Sequence, residues 1–210
     1  PDIFAVGDIY ELLNKDMDGA AVMGRRRSEK QGKEPQIATS VMLMDCARLQ
    51  HWDAEIEFDQ LFRSKRDYKK WMVLDYEDPA TIGYLEECWN DFDHLDANTR
   101  LLHNTKRKTQ PWKTGLPVDY TPADKFKGKP LLASANRLRI KMFGQYGLLG
   151  RYKKHPDLRQ EQFFFGLLKE CLHSGHVSEE LVRDEISKNH VRHDAFEVLE
   201  RTPKLEKMAA

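Results

Sequence analysis

The sequence predicts an α/β protein with a mostly helical second half. Short apolar segments alternate with amphipathic ones through the first half, as in a layered α/β fold. A linker rich in proline, lysine and aspartate then begins at Pro117, and helical patterns follow it. We therefore expect an α/β domain over residues 1–117 and a helical C-terminal extension over residues 118–210.

The first half opens with short apolar runs. Ile3–Val6 indicates the end of a strand, and Asp8 can cap a short helix by accepting hydrogen bonds from its first turn. Two further runs, Gly19–Gly24 and Ile37–Asp45, are typical of buried strands. A helical pattern is expected from about Cys46 onward.

The later elements of this half are predicted from their boundaries. The helical pattern continues to Met72. Pro79 then opens a short helix that carries Ile82 and Leu85, because proline suits the first helical position. The segment TRLLHNT at residues 99–105 returns to a strand pattern.

The extension is expected to contain two amphipathic helices after the linker. Segment 157–175 has a wide apolar face and ends at Gly175, a residue type that commonly follows a last helical turn. A second helix starts at Ser178, whose hydroxyl suits an N-cap, and stops before Pro203.

Composition limits the classes of partner and the compartment. The chain has 34 Lys and Arg residues against 34 Asp and Glu residues, so no net field draws it to nucleic acid or to a membrane surface. Cys46, Cys88 and Cys171 form no Cys-x-x-Cys pair, which favours a reducing, cytoplasmic location. No apolar run reaches the roughly 20 residues that a transmembrane helix needs.

The stretch RLLHNTKRKTQPWKTG, residues 100–115, concentrates chemically useful side chains. His103 ends an apolar run, and a neutral imidazole is a good ligand for Mn²⁺, with carboxylates as its natural partners. Cations that can neutralise phosphate oxygens and a flat aromatic ring follow it: Lys106, Arg107, Lys108, Trp112 and Lys113. A half-buried histidine bonded to the backbone, followed by a solvated basic loop, is the alternative interpretation.

Several blocks of the first 115 residues, in order, resemble glycosyltransferase family 8, which includes glycogenins and bacterial lipopolysaccharide galactosyl- and glucosyltransferases. The blocks are PDIF, DIYELL, GAAVMG, TSVMLMDCARL, WN and RLLHNTKRKTQPWKTG. The resemblance implies a GT-A (nucleotide-diphospho-sugar transferase) fold in the first half. It also implies transfer of a hexose from a UDP-sugar to an unidentified glycan, lipid-linked or protein acceptor, with retained anomeric configuration.

The resemblance further implies roles for two metal ligands. Asp2 matches the second aspartate of the family's Asp-x-Asp motif and His103 matches its histidine ligand, so both would bind Mn²⁺ or Mg²⁺. The first aspartate of the motif would precede Pro1. The chain is therefore expected to be an N-terminally truncated fragment that by itself does not bind a UDP-sugar tightly and is inactive.

The loop after the histidine departs from the family pattern His-x-x-Gly-x-x-Lys-Pro-Trp. Here it is HNTKRKTQPW, one residue longer and without the glycine. Lys106, Arg107 and Lys113 are all candidates for the phosphate-binding cation, and Trp112 is the aromatic residue of the loop.

A family Asp-Gln pair near the reacting carbon has its nearest match in LDYEDP. Asp75, Glu77 and Asp78 are the corresponding candidates for orienting the sugar or the acceptor. A solvated acidic turn explains the same three residues.

Two other functions fit features of the extension. His190, His193 and Asp194 have the i, i+3, i+4 spacing of one helix face, which suits a metal-dependent hydrolase. The apolar segment FFFGLLKECL suits a non-catalytic helical interaction module, and the C-terminal helices could form a homo-oligomer.

Overall fold

The computed structural model describes residues 2–27, 36–120, 130–144 and 149–205. The chain forms two compact units, Pro1–Thr105 and Lys106–Ala210. The division falls ahead of the linker expected at Pro117, so the basic loop belongs to the second unit. In the described residues all named strands lie in the first unit and the long helices lie in the second, which confirms the mixed α/β class.

The elements are as follows. The described strands are β1 (Ile3–Ala5), β2 (Val22–Arg26), β3 (Ile37–Met44), β4 (Ile82–Leu85), β5 (Asp91–Phe92) and β6 (Leu101–His103). The described α-helices are α1 (Tyr10–Leu13), α2 (Ala54–Phe62), α3 (Tyr68–Met72), α4 (Pro130–Phe143), α5 (Leu158–His173), α6 (Glu179–Ser187) and α7 (Ala195–Arg201). None of the helices in the described ranges is long and apolar enough to cross a membrane.

The first sheet has the strand order β1-β6-β5. Strand β1 is antiparallel to β6 with Ile3 opposite His103, and β5 is parallel to β6 with Phe92 opposite the same histidine. Leu102, between them, is almost fully buried. The C-terminal end of β6 therefore meets the N-terminal end of β1, beside Asp2.

The second sheet has the strand order β3-β2-β4, with β2 antiparallel to β3 and parallel to β4. Strand β2 continues past Gly24 to Arg26, whereas the sequence predicted that the strand ends at Gly24. Gly24 lies where the strands approach closely, since a Cβ atom built on it would be 2.9 Å from the Ala38 carbonyl oxygen. The glycine permits tight packing instead of ending the strand.

The prediction of a helix that starts at Pro79 and carries Ile82 and Leu85 is wrong. Pro79–Thr81 forms one 3₁₀ turn, and Ile82–Leu85 is strand β4. Its pairing with β2 explains the error: a short apolar segment takes its conformation from its partner strand, which is distant in the sequence.

The long helical segment expected from Cys46 to Met72 is also divided. It consists of a 3₁₀ turn at Cys46–Arg48 followed by α2 and α3. Asp53 and Asp67 each cap the next helix through their carboxylates, and Ser64 adopts a positive φ of 55° after α2. The aspartates supply new helix starts that interrupt the pattern.

In the second unit, two helix boundaries are confirmed. Gly175 follows α5 with a positive φ of 76°, and the Ser178 hydroxyl accepts a hydrogen bond from the Leu181 N–H at 3.1 Å. The prediction of one continuous helix from Ser178 to the residue before Pro203 is wrong. Asn189 adopts a φ of 60° after α6, and a second helix, α7, follows. The core of this unit contains Phe165, Ala195, Val198 and Leu199.

Candidate functional site

Asp2 and His103 are adjacent at the junction of β1 and β6. The Nε2 atom of His103 lies 3.6 Å from Oδ1 of Asp2, and the histidine side chain is 13% exposed against 38% for the aspartate. The Asn104 N–H donates to the Asp2 carbonyl oxygen at 2.8 Å, which extends the strand pairing to this end. The two residues that the resemblance assigns to a metal are thus brought together, although they are far apart in the sequence.

Asn90 orients the imidazole. Its Oδ1 atom lies 2.9 Å from Nδ1 of His103, its Nδ2 donates to Ser40 Oγ at 2.8 Å, and its carbonyl oxygen accepts from Arg25 at 2.7 Å. Because an amide oxygen only accepts hydrogen bonds, Nδ1 of His103 carries the hydrogen. In the neutral ring, Nε2 therefore presents a lone pair towards Asp2.

The surroundings favour the neutral imidazole. Burial lowers the pKa of His103 below its ordinary value of 6.5, and the charge of Arg27 acts in the same direction, whereas the carboxylates of Asp2 and Asp93 oppose it. The net direction is downward. Phe92 packs edge-on against the ring with 5.5 Å between centroids, which restricts its rotation.

This pair fits a divalent cation chemically. A carboxylate oxygen and an imidazole lone pair face each other, and neither supplies a hydrogen to the other when His103 is neutral. Metal–ligand bonds of about 2.1 Å allow two ligands of one ion to lie up to about 4.2 Å apart, so the observed 3.6 Å is within reach of a single ion. The sequence singled out Asp2 and His103 but not Asn90, although Asn90 belongs to the WN block of the resemblance.

A second group of potential ligands, not anticipated from the sequence, lies at β5 and in the loop after it. Among the described residues, Asp91, His94 and Asp96 place ligand atoms within 4.8 Å of one another. These atoms already have protein partners: His94 Nδ1 lies 3.3 Å from Asp91 Oδ2, and Asp96 Oδ1 accepts from the N–H groups of Asn98 and Thr99. The contacts among these residues therefore stabilise the loop after β5.

The predicted phosphate-binding cations lie in the second unit. Lys106 precedes a 3₁₀ turn at Arg107–Thr109, and the Arg107 guanidinium lies over the Tyr120 ring at 5.4 Å. Lys113 forms an ion pair with Asp119 and is 16% exposed. Of these candidates, Lys113 would have to leave a carboxylate partner to bind phosphate.

The Asp119 carboxyl shows how firmly Lys113 is held. Burial would raise the pKa of this carboxyl, but hydrogen bonds from Lys113 and Tyr152 outweigh it and lower the pKa. Burial and the same hydrogen bond raise the pKa of Tyr152. The three side chains form one local network, and the phosphate-binding role of Lys113 stays a prediction.

Trp112 packs inside the second unit. Its ring lies 5.1 Å from the Phe164 ring between centroids, and its carbonyl oxygen accepts from the Arg192 N–H at 2.8 Å. Phe163 and Phe165 in the same helix are buried. The FFFGLLKECL segment is thus largely occupied by the core of its own unit, which leaves less of it for the alternative role of a partner-binding face.

The three acidic candidates of the LDYEDP turn have different environments. Asp78 caps the 3₁₀ turn by accepting from the Ala80 N–H at 2.9 Å, and Asp75 is exposed. Glu77 is 15% exposed and its Oε2 lies 2.7 Å from Nε2 of His51. Asp78 therefore has a structural use, whereas Glu77 faces a cavity.

That cavity, of about 470 Å³, lies beside α2 and α3 in the first unit. Its walls are mostly aromatic and aliphatic, and two carboxylates line it. The residues that line it include Met42, Trp52, Glu57, Phe58, Trp71, Tyr76 and Glu77. The sequence did not predict this cavity.

The prediction that three potential metal ligands share one face of the last helix is wrong. Residues 188–194 separate α6 from α7, so His190, His193 and Asp194 do not share a helix face. His190 pairs with Glu185 at 2.8 Å, and Arg192 forms a two-point ion pair with Asp194. The hydrolase alternative loses the geometry on which it depended.

Comparison with known proteins gives no further assignment: no protein-family model, no curated protein and no solved structure matches this chain. The function is therefore inferred from the site geometry and from the sequence resemblance.

Proposed function

We propose that the protein is a hexosyltransferase that uses a UDP-sugar, with Asp2 and His103 as protein ligands of Mn²⁺ or Mg²⁺ in a GT-A-like first unit. The observation that carries the proposal is the 3.6 Å approach of Asp2 Oδ1 to a histidine nitrogen whose lone pair faces it. The resemblance of the blocks around these residues to glycosyltransferase family 8 supplies the reaction class.

The chemistry requires stabilisation of a leaving nucleoside diphosphate. A bound divalent cation supplies positive charge where negative charge develops on the phosphate oxygens. The chain's contribution is to hold the two ligand atoms: the β1–β6 pairing fixes Asp2, and Asn90 selects the His103 tautomer. Burial lowers the pKa of His103 and so favours the neutral imidazole, whose Nε2 can bind a cation.

The remaining roles are extensions of the same proposal. The resemblance assigns phosphate binding to Lys106, Arg107 or Lys113, of which Lys113 would have to leave Asp119. Asp75 is the preferred acidic residue for binding sugar or acceptor, because Asp78 caps a turn and Glu77 pairs with His51.

Metal binding is the first test. Electron paramagnetic resonance of free Mn²⁺ measures the affinity of the purified chain and of the variants Asp2→Asn, His103→Ala and His94→Ala. We expect one bound ion in the wild type and in His94→Ala. Asp2→Asn and His103→Ala should weaken binding by more than the roughly 100-fold that loss of an outer-shell partner can cause.

Two results would contradict the assignment. Unchanged Mn²⁺ affinity in His103→Ala would exclude the site, and loss of binding in His94→Ala would transfer it to the loop group of Asp91, His94 and Asp96. The reaction itself is tested by UDP release from UDP-glucose and UDP-galactose in the native protein. His103→Ala should abolish Mn²⁺-dependent release while leaving the thermal unfolding profile cooperative.

A further inference from the structure

The cavity beside α2 and α3 has the size of a small-molecule site. Its volume of about 470 Å³ falls in the range of roughly 300–1,000 Å³ that such sites occupy. Strand β3 contributes Met42, whereas the two helices and the loops next to them contribute the rings and carboxylates. All of these residues lie within the first unit.

Aromatic side chains form much of the wall. Trp52, Phe58, Trp71 and Tyr76 line the cavity, and the Phe58 and Trp71 rings are 6.2 Å apart between centroids at 55° to each other. The π-electron faces of such rings carry negative electrostatic potential. A cluster of them in different orientations attracts a cation from several sides.

The charged side chains that line the cavity are two carboxylates, and each has a basic partner outside the lining; one of these, Arg66, also lies over the Tyr76 ring at 4.8 Å. Glu57 and Glu77 line it and are 16% and 15% exposed. Each uses its Oε2 atom for an ion pair, with Arg66 and His51 respectively, and among the described residues neither Oε1 atom accepts a hydrogen bond. No lysine, arginine or histidine from the described part of the chain lines the cavity.

We propose that this cavity binds a small organic cation with an apolar body, of the quaternary or alkylated ammonium class. Apolar walls disfavour a strongly hydrated primary ammonium, whereas methyl or larger alkyl groups on nitrogen bury well against aromatic rings. The carboxylate of Glu77 complements the charge, because its partner is the imidazole of His51, whereas the carboxylate of Glu57 is paired with the guanidinium of Arg66. The inference goes beyond the proposed sugar transfer and does not depend on it.

The test compares choline with its neutral isostere 3,3-dimethylbutan-1-ol by ¹H–¹⁵N NMR titration of the purified chain. The chain has four tryptophans, and each gives one indole N–H signal, assigned by single Trp→Phe variants. Choline should shift the signals of Trp52 and Trp71 and leave those of Trp89 and Trp112 unchanged. It should bind about tenfold more tightly than the isostere, which corresponds to about 1.4 kcal/mol.

Two variants locate the source of the preference. Glu77→Gln keeps the shape of the side chain and removes its charge, so the preference for choline should fall several-fold. Glu180→Gln, an exposed carboxylate of α6, is the matched control and should bind as the wild type. Mn²⁺ affinity should be unchanged in both, which separates this cavity from the Asp2–His103 site.

The proposal is overturned if the isostere binds as tightly as choline, since the cavity would then be a purely apolar site. It is equally overturned if choline shifts neither the Trp52 nor the Trp71 signal, or if it shifts all four indole signals together. Because the ligand comparison is made in the wild type, an unstable variant leaves the result interpretable.

Discussion

Replacing Asn90 by alanine tests whether this buried amide controls His103. The Asn90 side chain is fully buried and makes two hydrogen bonds, to His103 Nδ1 at 2.9 Å and to Ser40 Oγ at 2.8 Å. Removing it leaves the imidazole N–H without its acceptor, at about 1–3 kcal/mol, and opens a small cavity beside it. The free energy of unfolding should therefore fall by about 2–4 kcal/mol.

Two assays read the consequence for the site. Long-range ¹H–¹⁵N NMR should show the Nδ1–H tautomer of His103 in the wild type and a mixture of tautomers in Asn90→Ala. Mn²⁺ affinity should fall about 10–100-fold, as for loss of an outer-shell partner. Ser40→Ala is the control, because it removes one hydrogen bond of Asn90, at about 1 kcal/mol, and keeps the bond to His103.

If Asn90→Ala keeps a single Nδ1–H tautomer of His103 and the wild-type Mn²⁺ affinity, Asn90 does not control the imidazole. The same conclusion follows if Ser40→Ala weakens Mn²⁺ binding as strongly as Asn90→Ala, because the effect would then come from general loosening of β3.

Three further predictions concern stability and pH. The pKa of His103 is lower in the folded protein than its ordinary value of 6.5, so the unfolded chain takes up the proton first as the pH falls. The free energy of unfolding should therefore be unaffected by this group above pH 6.5 and should decrease as the pH falls from there towards the folded pKa. Urea denaturation in metal-free buffer should show this decrease, and His103→Gln should make it smaller. Phe165→Ala, at a fully buried position, should lower the free energy of unfolding of the second unit by about 3–5 kcal/mol, measured by urea denaturation. Arg192→Ala should cost about 3–5 kcal/mol because it leaves the Glu161 carboxylate buried without its cation, and a smaller cost in a Glu161→Gln background would confirm that reason.

The sequence predicted elements whose signals are local. Ser178 and Gly175 mark helix boundaries through their own side chain and backbone, and both assignments are confirmed. The strand before Val6 and the strand containing Leu102 were likewise visible as short apolar runs. Such features depend on a few neighbouring residues, so pattern reasoning suffices.

Features that depend on distant partners were missed. Ile82–Leu85 is a strand because β2 lies beside it, and nothing in its own spacing shows that pairing. Asn189 ends α6 by taking a positive φ, a conformation that spacing rules for His190 and Asp194 do not anticipate. For the site, the resemblance indicated Asp2 and His103, but the hydrogen bond that selects the tautomer joins Asn90 to β6 across the fold.

The close approach at Gly24 also determines which substitutions the second sheet can accept. Even the smallest side chain there would press on the Ala38 carbonyl oxygen, and a backbone atom inside a sheet cannot turn aside as a side chain can. Gly150 is the opposite case: it has open space around it but a φ of 87°, which asparagine tolerates. In a saturation library selected for folding, position 24 should therefore return glycine alone, whereas position 150 should return both glycine and asparagine.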